Sequence, residues 1–368
     1  MSNINAAAQR RIQELLNNLV ERGIERGIQA AAYLNGKLVI DAWAGIADPV
    51  AGREVTGETL FPVFSAGKGI AATAIHILAE QGKLDYDTPI AACWPEFGRH
   101  GKDRITLRQA LSHTAGIPQM PLCHNISEVC DWELMCRKIA DLRPLWEPGT
   151  KTFYHAITFS WIIGETARRL DGRNISAIIH DEICRPLGID SIFTGIPDSR
   201  ENLVAALDVP DARPDDKPQP AYPVAKQSIP DWVCPLEMFM NNPAVRRACI
   251  PASNGIMSAR GIARHYAALI ANGVDGVRLL SPETIRAATT LTSPSGIPVS
   301  ELPGKFGLGY ALYGSDENYG QSFGHGGYGG TVGSADAKTG LAIGITKNRT
   351  NTAAPNLADE IRATLGLQ

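Results

Sequence analysis

Strand-like runs lie near both ends of this chain, and helical patterns fill the middle. Residues 29–34 and 37–43 are β-rich and flank Asn35-Gly36, the pair best suited to a two-residue hairpin turn. Far downstream, residues 306–313, 331–335 and 341–347 read as strands between glycine-rich turns. Between these groups, apolar residues recur at helical spacing over 106–111, 159–170, 175–183 and 259–271, and an Ala-rich apolar helix is expected over 66–82. Strands cannot stand alone, so the two ends are expected to share one sheet with the helices inserted between them: an α/β (α+β) fold with a discontinuous domain. Ile12, Leu15, Leu16, Leu19 and Val20 predict an amphipathic helix over 5–26, ended by Gly27, and a closing helix is expected over 354–366. A proline-rich stretch, 197–251, reads as a long irregular loop, a feature commonly tied to function.

Composition narrows the function classes. With 44% hydrophobic and 20% charged residues the chain is globular, and a net charge of −3 gives nucleic-acid binding no electrostatic support. No apolar run reaches the ~18–20 residues of a membrane helix; residues 70–79 come nearest and contain His76. No secretory pattern opens the sequence, and the seven cysteines form no CxxC pair. A cytoplasmic protein with reduced thiols is the expectation. Cys123-His124 with Cys130 and Cys136 fits no usual zinc spacing, so no metal is expected.

Ser65-Ala-Gly-Lys68 carries the chemistry. The pair opens the Ala-rich helix, and residues three apart lie on nearly one face. A free serine hydroxyl needs a base within hydrogen-bond reach, and a buried lysine can serve as one. Taken alone, the pattern is equally that of a capping serine and a surface lysine. Its setting decides otherwise. Segments 64–69 (FSAGKG), 82–89 (GKLDYDTP), 105–116 (ITLRQALSHTAG), 146–154 (WEPGTKTFY), 186–188 (PLG) and 323–327 (FGHGG) follow one another in order. Together they resemble the serine β-lactamase-like superfamily, closest to class C β-lactamases and the family VIII carboxylesterases.

The resemblance implies an antiparallel sheet flanked by the N- and C-terminal helices. It divides the chain into an α/β lobe, 1–64 and 246–368, and a mostly helical lobe, 65–245, that includes a pocket loop over 197–245. It assigns Ser65 as nucleophile and Lys68 with Tyr154 as general base and acid, the Lys68 ammonium lowering the phenol's pKa. The backbone N–H groups of Ser65 and Tyr328 would form the oxyanion hole. Ala156 replaces the asparagine, and His325-Gly326-Gly327 the Lys-Thr-Gly, with which lactamases grip their antibiotic. Ala156, His325, Gly326 and Gly327, with Trp232 and Phe239 from the proline-rich stretch, are expected to contact substrate; Met238 and Met240 are expected beside them. Ser253-Asn254-Gly255 looks like a penicillin-binding motif out of order and is read as a turn or helix cap, with a place at the pocket rim left open.

The function implied is hydrolysis of a small-molecule ester through an acyl-enzyme, serine chemistry that needs no cofactor. The alternatives are an acyltransferase on the same fold, an amidase, D-aminopeptidase or weak β-lactamase, and an inactive binding protein. No nucleic-acid or membrane partner is expected, and a homodimer is left open.

Overall fold

The computed structural model describes residues 5–209, 223–270, 272–292, 304–314, 319–350 and 355–367. Within the proline-rich stretch, 210–222 therefore lie outside the described residues. The expected hairpin forms: β1 (Gly27–Leu34) and β2 (Lys37–Asp48) pair around Asn35 and Gly36, at φ 49° and 76°. Both turn residues are left-handed, as this turn type requires.

The chain ends then meet. β1 pairs antiparallel with β10 (Leu341–Lys347), Ile28 opposite Lys347 and Leu34 opposite Leu341. With β3 (Arg53–Glu54), β7 (Ala311–Tyr313), β8 (Ser322–Gly326) and β9 (Val332–Asp336), they form a seven-stranded antiparallel sheet in the order β3-β2-β1-β10-β9-β8-β7. Strand alternation gives this sheet two faces. Ile28, Ala30, Ala32, Ile343 and Ile345 pack with Ile12, Leu16 and Leu19 of the helix Ala6–Glu21, and with Leu357 and Ile361 of the helix Leu357–Thr364. Ala31, Tyr33 and Ala342 belong to the central core, with Ile262, Ala263 and Tyr266 of the helix Ala259–Ala267. That helix lies very close to the sheet. A Cβ at Gly344 would sit 2.1 Å from the Ala259 carbonyl oxygen, and one at Gly333 within 2.7 Å of Tyr266 and Ile262.

A second sheet positions the chemistry. β4 (Phe61–Phe64) and β5 (Ile192–Thr194) flank β6 (Gly255–Met257), with Phe61 and Ile192 both opposite Met257. The strand that leads into Ser65 is thereby fixed to the segment that follows residues 251–254.

Four expectations change. The N-terminal helix stops at Glu21, not at Gly27, because Gly23 takes φ 68°; Gly27 instead begins β1. The strand expected over 306–313 is reduced to β7, since Gly309 turns the backbone at φ 81°. The helix expected over 175–183 is interrupted: Ile175–Ile179 leads into a wide turn, His180–Cys184, directly before Arg185–Leu187, whose Pro186 cannot donate to the helical ladder. The described part of the proline-rich stretch is not a featureless loop. It contains Pro223–Ser228, Leu236–Asn241 and Pro243–Arg247 as short helices, with a proline at or just before each start, where a missing N–H costs nothing.

Gly344→Ala should lower unfolding stability by about 1–3 kcal/mol, because the added methyl meets backbone that cannot yield. Urea unfolding measures it, and an unchanged midpoint would mean that the helix does not rest on β10.

Candidate active site

The candidate nucleophile, Ser65, sits at a sharp corner. Phe64 ends β4 in the left-handed region, φ 50°, although it is not glycine. Such a conformation costs on the order of 1–3 kcal/mol and persists only where the surroundings hold it. Here the ring of Phe64 is buried and meets Tyr328 edge-on, centroids 5.4 Å apart. The corner turns Ser65, half-buried, toward a cleft, and the helix Gly67–Glu80 begins two residues later. Gly67 lets that helix press against the next segment: a Cβ there would lie 2.8 Å from the Pro251 carbonyl oxygen.

Lys68, the second residue of that helix and three residues after Ser65, is 0% exposed. Its Nζ lies 3.2 Å from Ser65 Oγ and donates to the carbonyls of Ala156 (2.7 Å) and Ala252 (2.8 Å). Burial holds its pKa well below the ordinary lysine value, since a desolvated site disfavours the ammonium. A neutral amine has two N–H bonds and one lone pair. With both N–H groups on carbonyls, the lone pair is left to face Ser65.

Tyr154 follows Phe153 after the 146–153 turn, and the Lys68 Nζ lies 4.7 Å from its ring centroid. Burial raises its pKa, and a hydrogen bond to Ser65 offsets part of that rise. The expectation that Lys68 lowers the phenol's pKa is thus corrected: both groups are driven toward their neutral forms by the same desolvation. His325 Nδ1 donates to the Gly326 carbonyl at 2.7 Å, so Nε2 carries the lone pair and accepts from the Tyr154 hydroxyl at 3.4 Å. Burial, and then the proximity of Lys68, push His325 down to about 3; it is uncharged near neutrality.

Two histidines shape the floor. His113, buried at φ 62°, packs 4.8 Å from the Tyr154 ring and accepts the His155 N–H at its Nδ1, 3.2 Å. His155 Nδ1 donates to the Phe153 carbonyl (2.7 Å), and its Nε2 accepts the Ile117 N–H (3.2 Å). On the outer side, Ser228 Oγ accepts the Ala156 N–H and donates to the Tyr154 carbonyl, each at 3.2 Å.

The cleft holds about 560 Å³. Ser65, Tyr154, Ala156, His325, Gly326 and Tyr328 all line it, as the sequence suggested, and Ser253 lies at its wall. Gly327 acts from behind: its Cβ would fall 2.2 Å from the Val63 carbonyl oxygen, so only glycine lets the turn after β8, which carries Tyr328, approach the strand that leads into Ser65. The Ser65 N–H has no backbone partner among the described residues. Trp232 and Phe239 are not in the lining. Trp232 stands at the surface, 36% exposed, Met238 is exposed too, and Phe239 and Met240 point into the core. Ile229 and Leu236 supply the apolar wall instead, with Ile157, Phe306, Ala311 and Tyr313. The composition of the stretch located the wall, but helix rotation chose the residues. Sequence reasoning also missed Ser228, His113 and the strained Phe64. His113 lay within a family-like segment; an isolated serine in a proline-rich run carries no signal.

Among the described residues, no helix is long and apolar enough to cross a membrane. Residues 12–368 match the family described as Beta-lactamase. The chain is 33% identical over 335 residues to the esterase/beta-lactamase LipL of Mycobacterium tuberculosis, covering 87% of this chain and 76% of that protein. The crystal structure of a family VIII carboxylesterase superposes with a TM-score of 0.86 at 30% identity, covering 99% of both chains. A penicillin-binding protein homologue from Caulobacter crescentus superposes at 0.83 and 32% identity, covering 97% of this chain and 95% of that one. A serine at a strand–helix corner, a buried lysine one turn on, and a match across nearly the whole sequence agree: the chain belongs to the Beta-lactamase family and has its serine-hydrolase-type fold.

Proposed function

We propose that this protein hydrolyses uncharged carboxylic esters through an acyl-enzyme on Ser65. The observation that carries the reading is the setting of Lys68: fully buried, 3.2 Å from Ser65 Oγ, with two carbonyls occupying its N–H groups. An amine so placed gives up its proton more readily than a surface lysine, which suits it to act as a base. Ser65 Oγ attacks the ester carbonyl as its proton passes to Lys68. The N–H groups of Ser65 and Tyr328 receive the oxyanion. The Tyr154 hydroxyl then protonates the departing alkoxide and is restored by the proton held on Lys68. Water attacks the acyl-enzyme by the reverse route and releases the acid. His325, neutral and fixed by its bond to Gly326, orients the phenol.

Esters are favoured over anionic lactams for two reasons. No lysine or arginine is among the described residues lining the cleft, so a substrate carboxylate would be desolvated without a partner. Where lactamases have an asparagine amide, Ala156 offers only its backbone, and its carbonyl is already bonded to Lys68. A cytoplasmic location remains part of the reading, supported by seven free cysteines.

A fluorophosphonate probe should label Ser65, located by peptide mass spectrometry, and Ser65→Ala should abolish ester turnover with stability changed by less than about 1–2 kcal/mol. An adduct on a different serine, or an active alanine variant, would refute the assignment.

Lys68→Ala and Tyr154→Phe should each lower kcat by on the order of 10²–10⁴, and the double variant should lose far less than the product, since both serve one proton path. The lysine must be neutral to act. Because burial lowers its pKa, kcat/KM should fall as pH drops through a value below the ordinary lysine pKa. Losses that simply multiply, or an acid limb that survives in Lys68→Ala, would contradict this.

For one enzyme preparation, kcat/KM for short-chain p-nitrophenyl esters should exceed that for nitrocefin by at least about 10³, roughly 4 kcal/mol in transition-state binding. Comparable values would show that the cleft has a lactam-binding group not among those named.

A further inference from the structure

We propose that Ser228 is a positioning residue for the catalytic centre: it clamps the turn Tyr154-His155-Ala156 from outside and so holds both the phenol and the carbonyl that binds Lys68. The inference rests on the proposed roles of Ser65, Lys68 and Tyr154. Its own basis is a pair of bonds. Ser228 is buried, and its Oγ accepts the Ala156 N–H and donates to the Tyr154 carbonyl, each at 3.2 Å. These two backbone groups flank His155, and no backbone partner satisfies either among the described residues. One hydroxyl therefore saturates a turn that would otherwise hold two orphaned buried groups.

What the turn delivers gives the clamp its consequence. The far side of Ala156 is the carbonyl that accepts from Lys68 Nζ at 2.7 Å, and the side chain of Tyr154 covers that same Nζ, 4.7 Å from the ring centroid. The clamp thus sets how closely the lysine is roofed. Ser228 does not itself line the cleft. It ends the short helix Pro223–Ser228, whose Gln227 carbonyl accepts the Met120 N–H at 2.8 Å, and it is followed by Ile229 in the cleft wall. The same segment that shapes the apolar wall also fixes the base.

Loss of the clamp should leave a recognisable mark. Among the described residues, the titratable groups around Lys68 are Tyr154, His113, His155 and His325. None is a carboxylate. His155 and His325 are held to about 4 and about 3 by burial, so neither changes charge near neutrality. The lysine's pKa then depends mainly on its desolvation. A loosened roof admits water, stabilises the ammonium and moves the pKa upward.

The test uses the full chain, with p-nitrophenyl acetate as substrate and a fluorophosphonate as the Ser65 probe. Ser228→Ala should lower kcat/KM by about 10–100-fold, the scale of loss when an aligned centre is slightly misplaced. KM should stay close to wild type, and the acid limb of both kcat/KM and the labelling rate should shift to higher pH by about one unit. Ser228→Cys, which keeps the volume but weakens both bonds, should shift the limb in the same direction; it carries the test if the alanine variant does not fold. A variant that loses only amplitude, in step with its thermal midpoint and with the limb unmoved, overturns the clamp. Absence of labelling at Ser65 in the wild-type protein overturns the reading beneath it instead.

Discussion

The site depends on keeping one amine out of water. Among the described residues Lys68 has no carboxylate partner; its Nζ faces two carbonyls, a serine hydroxyl and aromatic rings. An ammonium buried in this way is disfavoured by several kcal/mol unless paired, and that penalty is what suits the lysine to the proposed role of base. The two carbonyls come from distant points in the chain, Ala156 and Ala252. The Ala252 N–H is itself held by Ser160 Oγ, 2.9 Å away. Every element that meets at Lys68 is thus tied to at least one other.

Close approach is the means by which those elements converge. Gly67 lets the nucleophile helix touch Pro251, Gly327 lets the β8 turn touch Val63, and Gly333 and Gly344 seat a helix on the sheet. Larger residues would open gaps of a methyl or more at each contact, and a base 3.2 Å from its serine tolerates little displacement. Phe64 and His113 show the cost on the other side: two non-glycine residues adopt left-handed backbones, one directly before the nucleophile and one beneath the tyrosine.

The cleft follows from the same economy. The proposed chemistry needs only Ser65, Lys68, Tyr154 and two backbone donors, which leaves the remaining wall free to vary. It is apolar along Ile157, Ile229, Leu236 and Phe306, and His325 adds no charge. Ser253 brings a hydroxyl to the wall while its neighbour Asn254 is spent inside, its Oδ1 accepting the Ile250 N–H at 3.0 Å. The out-of-order motif is therefore divided between the cleft and a structural cap.

Local pattern was enough for much of this. The Asn35-Gly36 hairpin and the pairing of Ser65 with Lys68 on one helical turn are set by residues near one another in sequence, through left-handed turn preference and helical spacing, and strand patterns near both ends implied a shared sheet. Tyr154, His325 and Tyr328 were legible only because whole segments resembled a family. What the sequence could not determine is what long-range packing decides. The direction of the Tyr154 and Lys68 pKa shifts depends on desolvation by segments distant in the chain, among them the one carrying Ala252, 184 positions from Lys68. Whether Leu236 or Phe239 faces the cleft depends on how one short helix lies against the core. The role of Ser228 exists only once a proline-rich segment folds back onto a turn 72 residues earlier, because a hydroxyl acquires meaning from the two backbone groups it meets and not from its neighbours in the chain.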